Sequence, residues 1–230
     1  ADAAGIDRLD FRRRNALADG DATATGQVLP ATGIGPCLDA LAAPWSRARA
    51  EAAAWNAGAA APAHLRPGVG LASCWYGCGN TGLPNPSTIR AGITAGGRIV
   101  LHQGATDIGQ GSNTVIAQIF AEAIGLPVAT LDLVGPDTGL TPDAGKTSAS
   151  RQTYVTGRAA QAAGASLRSA ILRLANAGEG ARIAIEKDAI LVTEGSRRHR
   201  LDLAGLPADA TGYVLSAQET YDPPTTALHA

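Results

Sequence analysis

Gln110 lies between Gly109 and Gly111, with Gly104 and Asp107 just upstream, in the run His102–Gly125. A primary amide both donates and accepts, and glycines let a ligand come close to the backbone. From Thr114 onward, Val115, Ile116, Ile119, Phe120, Ala123 and Ile124 recur at helical spacing, so this loop feeds a helix start whose unpaired N–H groups suit an anion. The chemistry implied is a cradle for a cofactor or a phosphate; a tight turn with no ligand is the alternative. The loop carries neither the G-K-[ST] ending of a P-loop nor the G-x-G-x-x-G spacing of a dinucleotide fold.

A second candidate, Gly145–Gln152 (GKTSASRQ), opens the next helix. Thr147, Ser148 and Ser150 bring hydroxyls, and Lys146 and Arg151 bring charge, beside the positive end of a helix dipole. If the two turns face each other, they would hold a phosphate-bearing or pterin-like ligand from two sides; on its own, Thr147 or Ser148 would be an N-cap. The third candidate is Cys74–Asn80 (CWYGCGN). Its thiols lack the further ligands of a zinc site and read as buried structural cysteines, while the aromatics and the loop after them could line a pocket for a planar substrate. Asp107 is placed to hold the glycine loop's hydrogen bonds, and His102 reads as a satisfied strand residue. No nucleophile–base pair emerges, so neither a catalytic residue nor a metal ligand is assigned.

The elements that must position these residues alternate in character. A short helix within residues 1–18 is expected to be capped at Asp7 and to turn Leu9, Phe11 and Leu17 inward; a second, over 36–55, would be kinked by Pro44. Strands are expected at 68–76, 87–94, 98–103, 128–134, 181–185, 189–192 and 210–216, with Gly96-Gly97 as a hairpin turn and 197–200 as a solvated basic run. Helices are expected at about 112–124 and 149–176, the latter ended by Gly178–Gly180. The pattern points to an α+β fold of mixed sheets packed against long helices, with a helical lead-in over 1–66 and an α+β region over 67–230.

Composition narrows the function classes. The chain has 230 residues, 45% hydrophobic and 17% charged, with a net charge of −1, which leaves no basic footprint for nucleic acid. No apolar run is long enough for a membrane span, and no signal-peptide pattern opens the chain. Three cysteines without framework spacing favour a reducing, cytoplasmic setting. The chain has no methionine, which suggests a piece of a longer protein.

Five blocks, in order, carry a likeness. GATDIGQGSNTVIAQIFAEAIGLP resembles the "GGTEMGQG" segment of the xanthine oxidase / aldehyde oxidoreductase family of molybdenum hydroxylases. GIDRLDFRRRNAL, TGQVLPATGIGPCLDAL, CWYGCGNTGLPNPSTIR and GKTSASRQTYVTGRAAQAAG resemble other segments of its molybdopterin-binding domain. The resemblance implies that Gly109, Gln110 and Gly111 contact the molybdopterin, with Lys146, Ser148, Ala149, Ser150, Arg151 and Gln152 along its pterin and phosphate side. It places Tyr76, Gly79 and Asn80 toward the substrate. It implies an oxidoreductase acting on an aldehyde or N-heterocycle with oxygen from water, using molybdopterin in its cytosine dinucleotide form. The remaining parts of the large subunit, a 2Fe–2S domain or subunit and a flavin (FAD) subunit would be its partners. The family's catalytic glutamate belongs to a segment absent here, so the isolated chain is expected to be an inactive fragment. The alternatives are a non-catalytic small subunit completing a site on a partner, or a stand-alone phosphate or nucleotide binder.

Overall fold

The computed structural model describes residues 1–58, 62, 64–79 and 82–225. The chain forms two compact units, Ala1–Tyr76 and Gly77–Ala227.

In the first unit, helix α1 (Arg8–Arg14) starts where Asp7 accepts the N–H groups of Leu9 and Asp10, at 2.8 and 3.4 Å. The same carboxylate accepts the Trp45 indole N–H at 3.1 Å, and the Arg49 guanidinium lies 5.5 Å from the Trp45 ring centroid. The first unit's core is correspondingly small: Leu9, Leu38 and Trp45. Leu9 is buried as expected, but Phe11 is exposed. The single kinked helix expected over 36–55 is two helices, α2 (Ile34–Ala40) and α3 (Ala42–Ala57), with the break at Leu41. Pro44 falls in the first turn of α3, where a missing N–H loses nothing. Residues 68–76 form no strand; their alternation of apolar and small residues finds no neighbouring strand to pair with.

The second unit holds two sheets and two long helices. Strands β1 (Ser87–Thr94) and β2 (Ile99–Gln103) form the expected hairpin. Helix α4 (Ser112–Ile124) then carries the chain to β3 (Leu131–Val134), which pairs parallel to β2, a βαβ unit. Residues 128–130, expected as strand, form a 3-10 turn instead. After α5 (Gln152–Leu174) come β4 (Arg182–Glu186), β5 (Ala189–Glu194) and β6 (Arg197–Asp202), an antiparallel sheet of their own. The long helix ends on Asn176 in the left-handed region rather than on the later glycines. The basic run 197–200 is strand β6, at the sheet's edge, where charge protects the unpaired side. Strand β7 (Tyr213–Tyr221) runs further than expected and closes the first sheet in the order β3-β2-β1-β7.

The core lies where α4 and α5 cover one face of that mixed sheet, with Ile89, Ile93, Leu101, Ile116, Phe120 and Leu167 fully buried. The helices approach closely because α5 presents glycines. A Cβ on Gly164 would lie 2.8 Å from the Phe120 carbonyl oxygen, and one on Gly157 would lie 2.8 Å from Ile119. This architecture is the expected α+β class. Among the described residues no helix is long and apolar enough to cross a membrane.

On the sheet's other face, His102 is buried and its Nε2 lies 2.6 Å from the Tyr213 hydroxyl. Burial and the Arg90 charge push its pKa below the ordinary histidine value, against a smaller opposing effect of the Leu140 carbonyl. The unfolded chain therefore binds a proton more readily than the folded one as pH drops below the ordinary histidine value of about 6.5. Stability is expected to be full above that pH and to fall as pH drops through it. Denaturant unfolding between pH 7.5 and 5 checks this, and His102→Asn is expected to flatten the slope.

Candidate functional site

Two loops meet at the N-terminal ends of α4 and α5. The first, residues 104–111, leaves β2 beneath Gly104, where a Cβ would overlap the Pro142 carbonyl oxygen. Gln103, fully buried, braces it by accepting the Ala105 N–H at 2.9 Å and donating to Asn113. Asp107 accepts from the N–H groups of Gly109 (2.8 Å), Gly111 (3.3 Å) and Asn113 (3.1 Å). Those bonds, from Gly109 first and then Asn113, hold its carboxyl below the usual carboxylate range. The expectation for Asp107 is met, and the α4 start has its own anion. The backbone there is less open to a second one than the glycine pattern suggested.

Gly109 and Gly111 are left-handed, at φ 104° and 80°, and a Cβ on either would meet nothing within 4 Å. Open space lies over the glycines, as a ligand cradle requires. The exposed Gln110 is bound by its own loop and the first residue of α4: Oε1 accepts the Ile108 N–H at 2.6 Å, while Nε2 donates to the Thr106 carbonyl (3.2 Å) and the Ser112 hydroxyl (3.1 Å).

The second loop, residues 145–151, enters α5 through two successive non-glycine residues in the left-handed region, Ala149 at φ 52° and Ser150 at φ 55°. Such strain gathers at functional sites and persists only where neighbours enforce it. One neighbour is Gly79, whose N–H donates to the Ala149 carbonyl at 2.6 Å. The other is Arg151. Its guanidinium is fully buried and donates to the carbonyls of Ala144 (2.7 Å), Lys146 (3.0 Å), Asn85 (2.5 Å) and Pro86 (3.1 Å). Burial lowers its pKa, while Asp143 and Asp222 oppose the shift. Arg151 thus shapes the loop from inside. Gln152, also buried, donates to the Lys146 carbonyl at 3.0 Å and to Thr147 Oγ1 at 3.2 Å. Lys146, Ser148 and Ser150 remain exposed, and α5 begins with no side-chain cap.

The two loops are joined. Thr147 Oγ1 donates at 2.9 Å to the Thr106 carbonyl, the same oxygen that accepts from Gln110. The structure therefore brings Gln110, Gly79 and the Lys146–Gln152 turn together. Asn80 lies outside the described residues. Tyr76 ends the first unit, exposed, in an open groove with Trp75, Cys74, Cys37 and Phe11. Cys74 and Cys78 are exposed, not the buried thiols expected, because the segment carrying them joins no sheet. No cluster of three or more metal-ligating side chains occurs among the described residues.

Residues 40–229 match the molybdopterin cofactor-binding domain. The chain belongs to that family. Molybdopterin, with its molybdenum, is the cofactor such domains bind. Among relatives, a putative xanthine dehydrogenase molybdenum-binding subunit of Escherichia coli is 34% identical over 185 residues, covering 75% of this chain and 23% of that protein. The aldehyde oxidoreductase of Megalodesulfovibrio gigas is 31% identical over 166 residues, 71% of this chain and 18% of that one. The crystal structure of the Desulfovibrio desulfuricans aldehyde oxidoreductase shares the fold, with a TM-score of 0.59 at 21% identity over 100% of this chain and 22% of its own. This molybdopterin-binding chain thus spans less than a quarter of the length of these relatives.

Proposed function

We propose that the paired loops before α4 and α5 hold molybdopterin within a molybdenum hydroxylase that oxidises an aldehyde or N-heterocycle with oxygen from water. The observation that carries this reading is the docking of the two loops on the Thr106 carbonyl, with open space over Gly109 and Gly111 on one loop and the exposed Lys146, Ser148 and Ser150 on the other. These residues fit the group: exposed hydroxyls, one ammonium and an uncapped helix start suit a pterin bearing phosphate.

When bound, the cofactor supplies the two-electron redox chemistry and the protein supplies binding and orientation. Gln110 would turn its amide outward to the cofactor. Lys146, Ser148 and Ser150 would neutralise and hydrogen-bond its phosphate, while Ala149 would present backbone. Arg151 and Gln152 would keep that backbone in its left-handed path without touching the ligand. Gly79, bonded to the Ala149 carbonyl, would stand on the substrate side of that turn. We assign the cytosine dinucleotide form to the cofactor, and 2Fe–2S and FAD-bearing partners to the electron path.

Ser150→Asp separates ligand binding from folding. Aspartate tolerates the left-handed region better than serine and is favourable at a helix start, so the cofactor-free fold is expected to be as stable as the parent. A carboxylate about 4 Å from a phosphate repels it by roughly 1–4 kcal/mol, so cofactor retention in the full-length protein is expected to fall about tenfold or more. Unchanged molybdenum and pterin content in that variant would overturn the assignment.

A further inference from the structure

The sequence offers Thr147 as a hydroxyl for a ligand or as a helix cap. In the structure its hydroxyl faces the other loop. Gln152 Nε2 donates into Thr147 Oγ1 at 3.2 Å, so the single hydroxyl proton is directed to the Thr106 carbonyl, 2.9 Å away and 41 residues earlier. Gln152 is itself anchored in the core. Its Oε1 accepts from the Thr156 hydroxyl, which lies 2.7 Å from that of Ser87 on β1, and all of these side chains are buried. A polar spine thus runs from β1 through the first turn of α5 into the glycine loop.

The Thr106 carbonyl has two lone pairs and both are engaged, one by Thr147 and one by Gln110 Nε2. The two donors differ in freedom. Thr147 is oriented by a buried amide, whereas Gln110 is exposed and every partner of its amide lies in its own loop or on the first residue of α4. To turn its whole amide outward to a ligand, Gln110 must leave these partners, Thr106 among them.

We propose that Thr147 is a positioning residue, a latch that keeps the glycine loop docked on the α5 turn while Gln110 lets go of Thr106 and turns to the cofactor. This rests on the molybdopterin reading for what Gln110 turns toward, but not for the latch itself. It gives Thr147, whose hydroxyl proton is committed to the Thr106 carbonyl, control over how readily Gln110 engages a ligand.

The test uses the full-length protein with Thr147→Val, which keeps the shape and removes the hydroxyl, and Thr147→Ser, which keeps the hydroxyl. In the cofactor-free protein, amide exchange at Gly109 and Gly111 is expected to quicken about tenfold in the valine variant, the size of one net hydrogen bond, and to return to the parent rate in the serine variant. Molybdopterin dissociation is expected to quicken by a similar factor in Thr147→Val, non-additively with Gln110→Ala. Parental exchange in Thr147→Val, or a serine variant as impaired as the valine one, overturns the latch. Should valine not be accommodated, Thr147→Ala replaces it with the same expectations. If exchange responds as expected while even the parent holds no molybdopterin, the cofactor reading fails and the latch stands.

Discussion

Arg151→Met is expected to lower the free energy of unfolding by about 3–5 kcal/mol and to strip the site of cofactor. The methionine fills much of the volume, so the loss is one of hydrogen bonds rather than of packing. Of the four carbonyls that now share one guanidinium, those of Asn85, Pro86 and Ala144 would lose this donor, two of them on the buried residues Asn85 and Ala144, while that of Lys146 would keep only Gln152. A buried acceptor left unpaired costs about 1–3 kcal/mol, and breaking a buried charged contact typically about 3–5, which sets the range. Lysine is a poor replacement, since an ammonium offers no planar fork to span two stretches of chain. The carbonyls served belong to residues 85–86, before β1, and to 144–146, the segment leading into the α5 loop. Without the guanidinium these separate, and the left-handed pair Ala149–Ser150 keeps only Gly79 of the two neighbours that enforce it. Urea unfolding and the molybdenum content of the full-length protein measure the two effects. A loss below about 1 kcal/mol, with cofactor retained, would mean that water replaces the guanidinium at little cost.

How much of this was legible in the sequence depends on whether a feature is local. Helix α4 was placed correctly because both its ends are written in glycine: Gly111 and Gly125 are left-handed at φ 80° and 81°, and the apolar stripe between them is regular. The hairpin at Gly96-Gly97 and the cap at Asp7 were legible for the same reason. Strand β6 was not, because RRHRLD is an edge strand whose alternation of half-buried and exposed residues is masked by charge. The polar second half of β7, Gln218–Thr220, fails in the same way, at the edge of the other sheet. Conversely, residues 68–76 have strand composition but no partner, and a strand exists only by pairing.

At the site, the two loops were found from their glycines, hydroxyls and helix starts. The direction in which their side chains point was not. An arginine that gathers buried carbonyls looks in sequence like one that reaches for a phosphate. Gln152 likewise turns to Lys146 and Thr147 rather than outward. The Thr147–Thr106 bond joins residues 41 apart, beyond any local pattern. Its inner end alone leaves a signal: Gln152 and Thr156 stand four apart at the start of α5, and once buried they need polar partners.

Gly97→Ala is the counterpart of the arginine variant: a comparable loss of stability with no loss of site chemistry. The sequence explains only half of why glycine stands there. Its φ of 80° belongs to the left-handed region, which an alanine enters at a cost of about 1–2 kcal/mol. The other half comes from the second sheet. A Cβ at Gly97 would overlap the carbonyl oxygen of Lys187, in the turn between β4 and β5, and would press on Ile185 at 3.3 Å. Backbone cannot rotate aside as a side-chain tip can, so one turn must back away from the other, adding about 1–3 kcal/mol of overpacking. The two hairpins would part where the sheets meet, and the total is expected to reach about 2–5 kcal/mol by denaturant unfolding. Gly97 precedes β2, whereas the glycine loop leaves its far end after Gln103, so the five residues of the strand separate the damage from the site. Molybdopterin affinity per folded molecule is therefore expected to stay at the parental value in Gly97→Ala and to collapse in Arg151→Met. Equal losses of affinity in both would mean that the cofactor loops are held by the stability of the whole second unit rather than by the contacts at their own base.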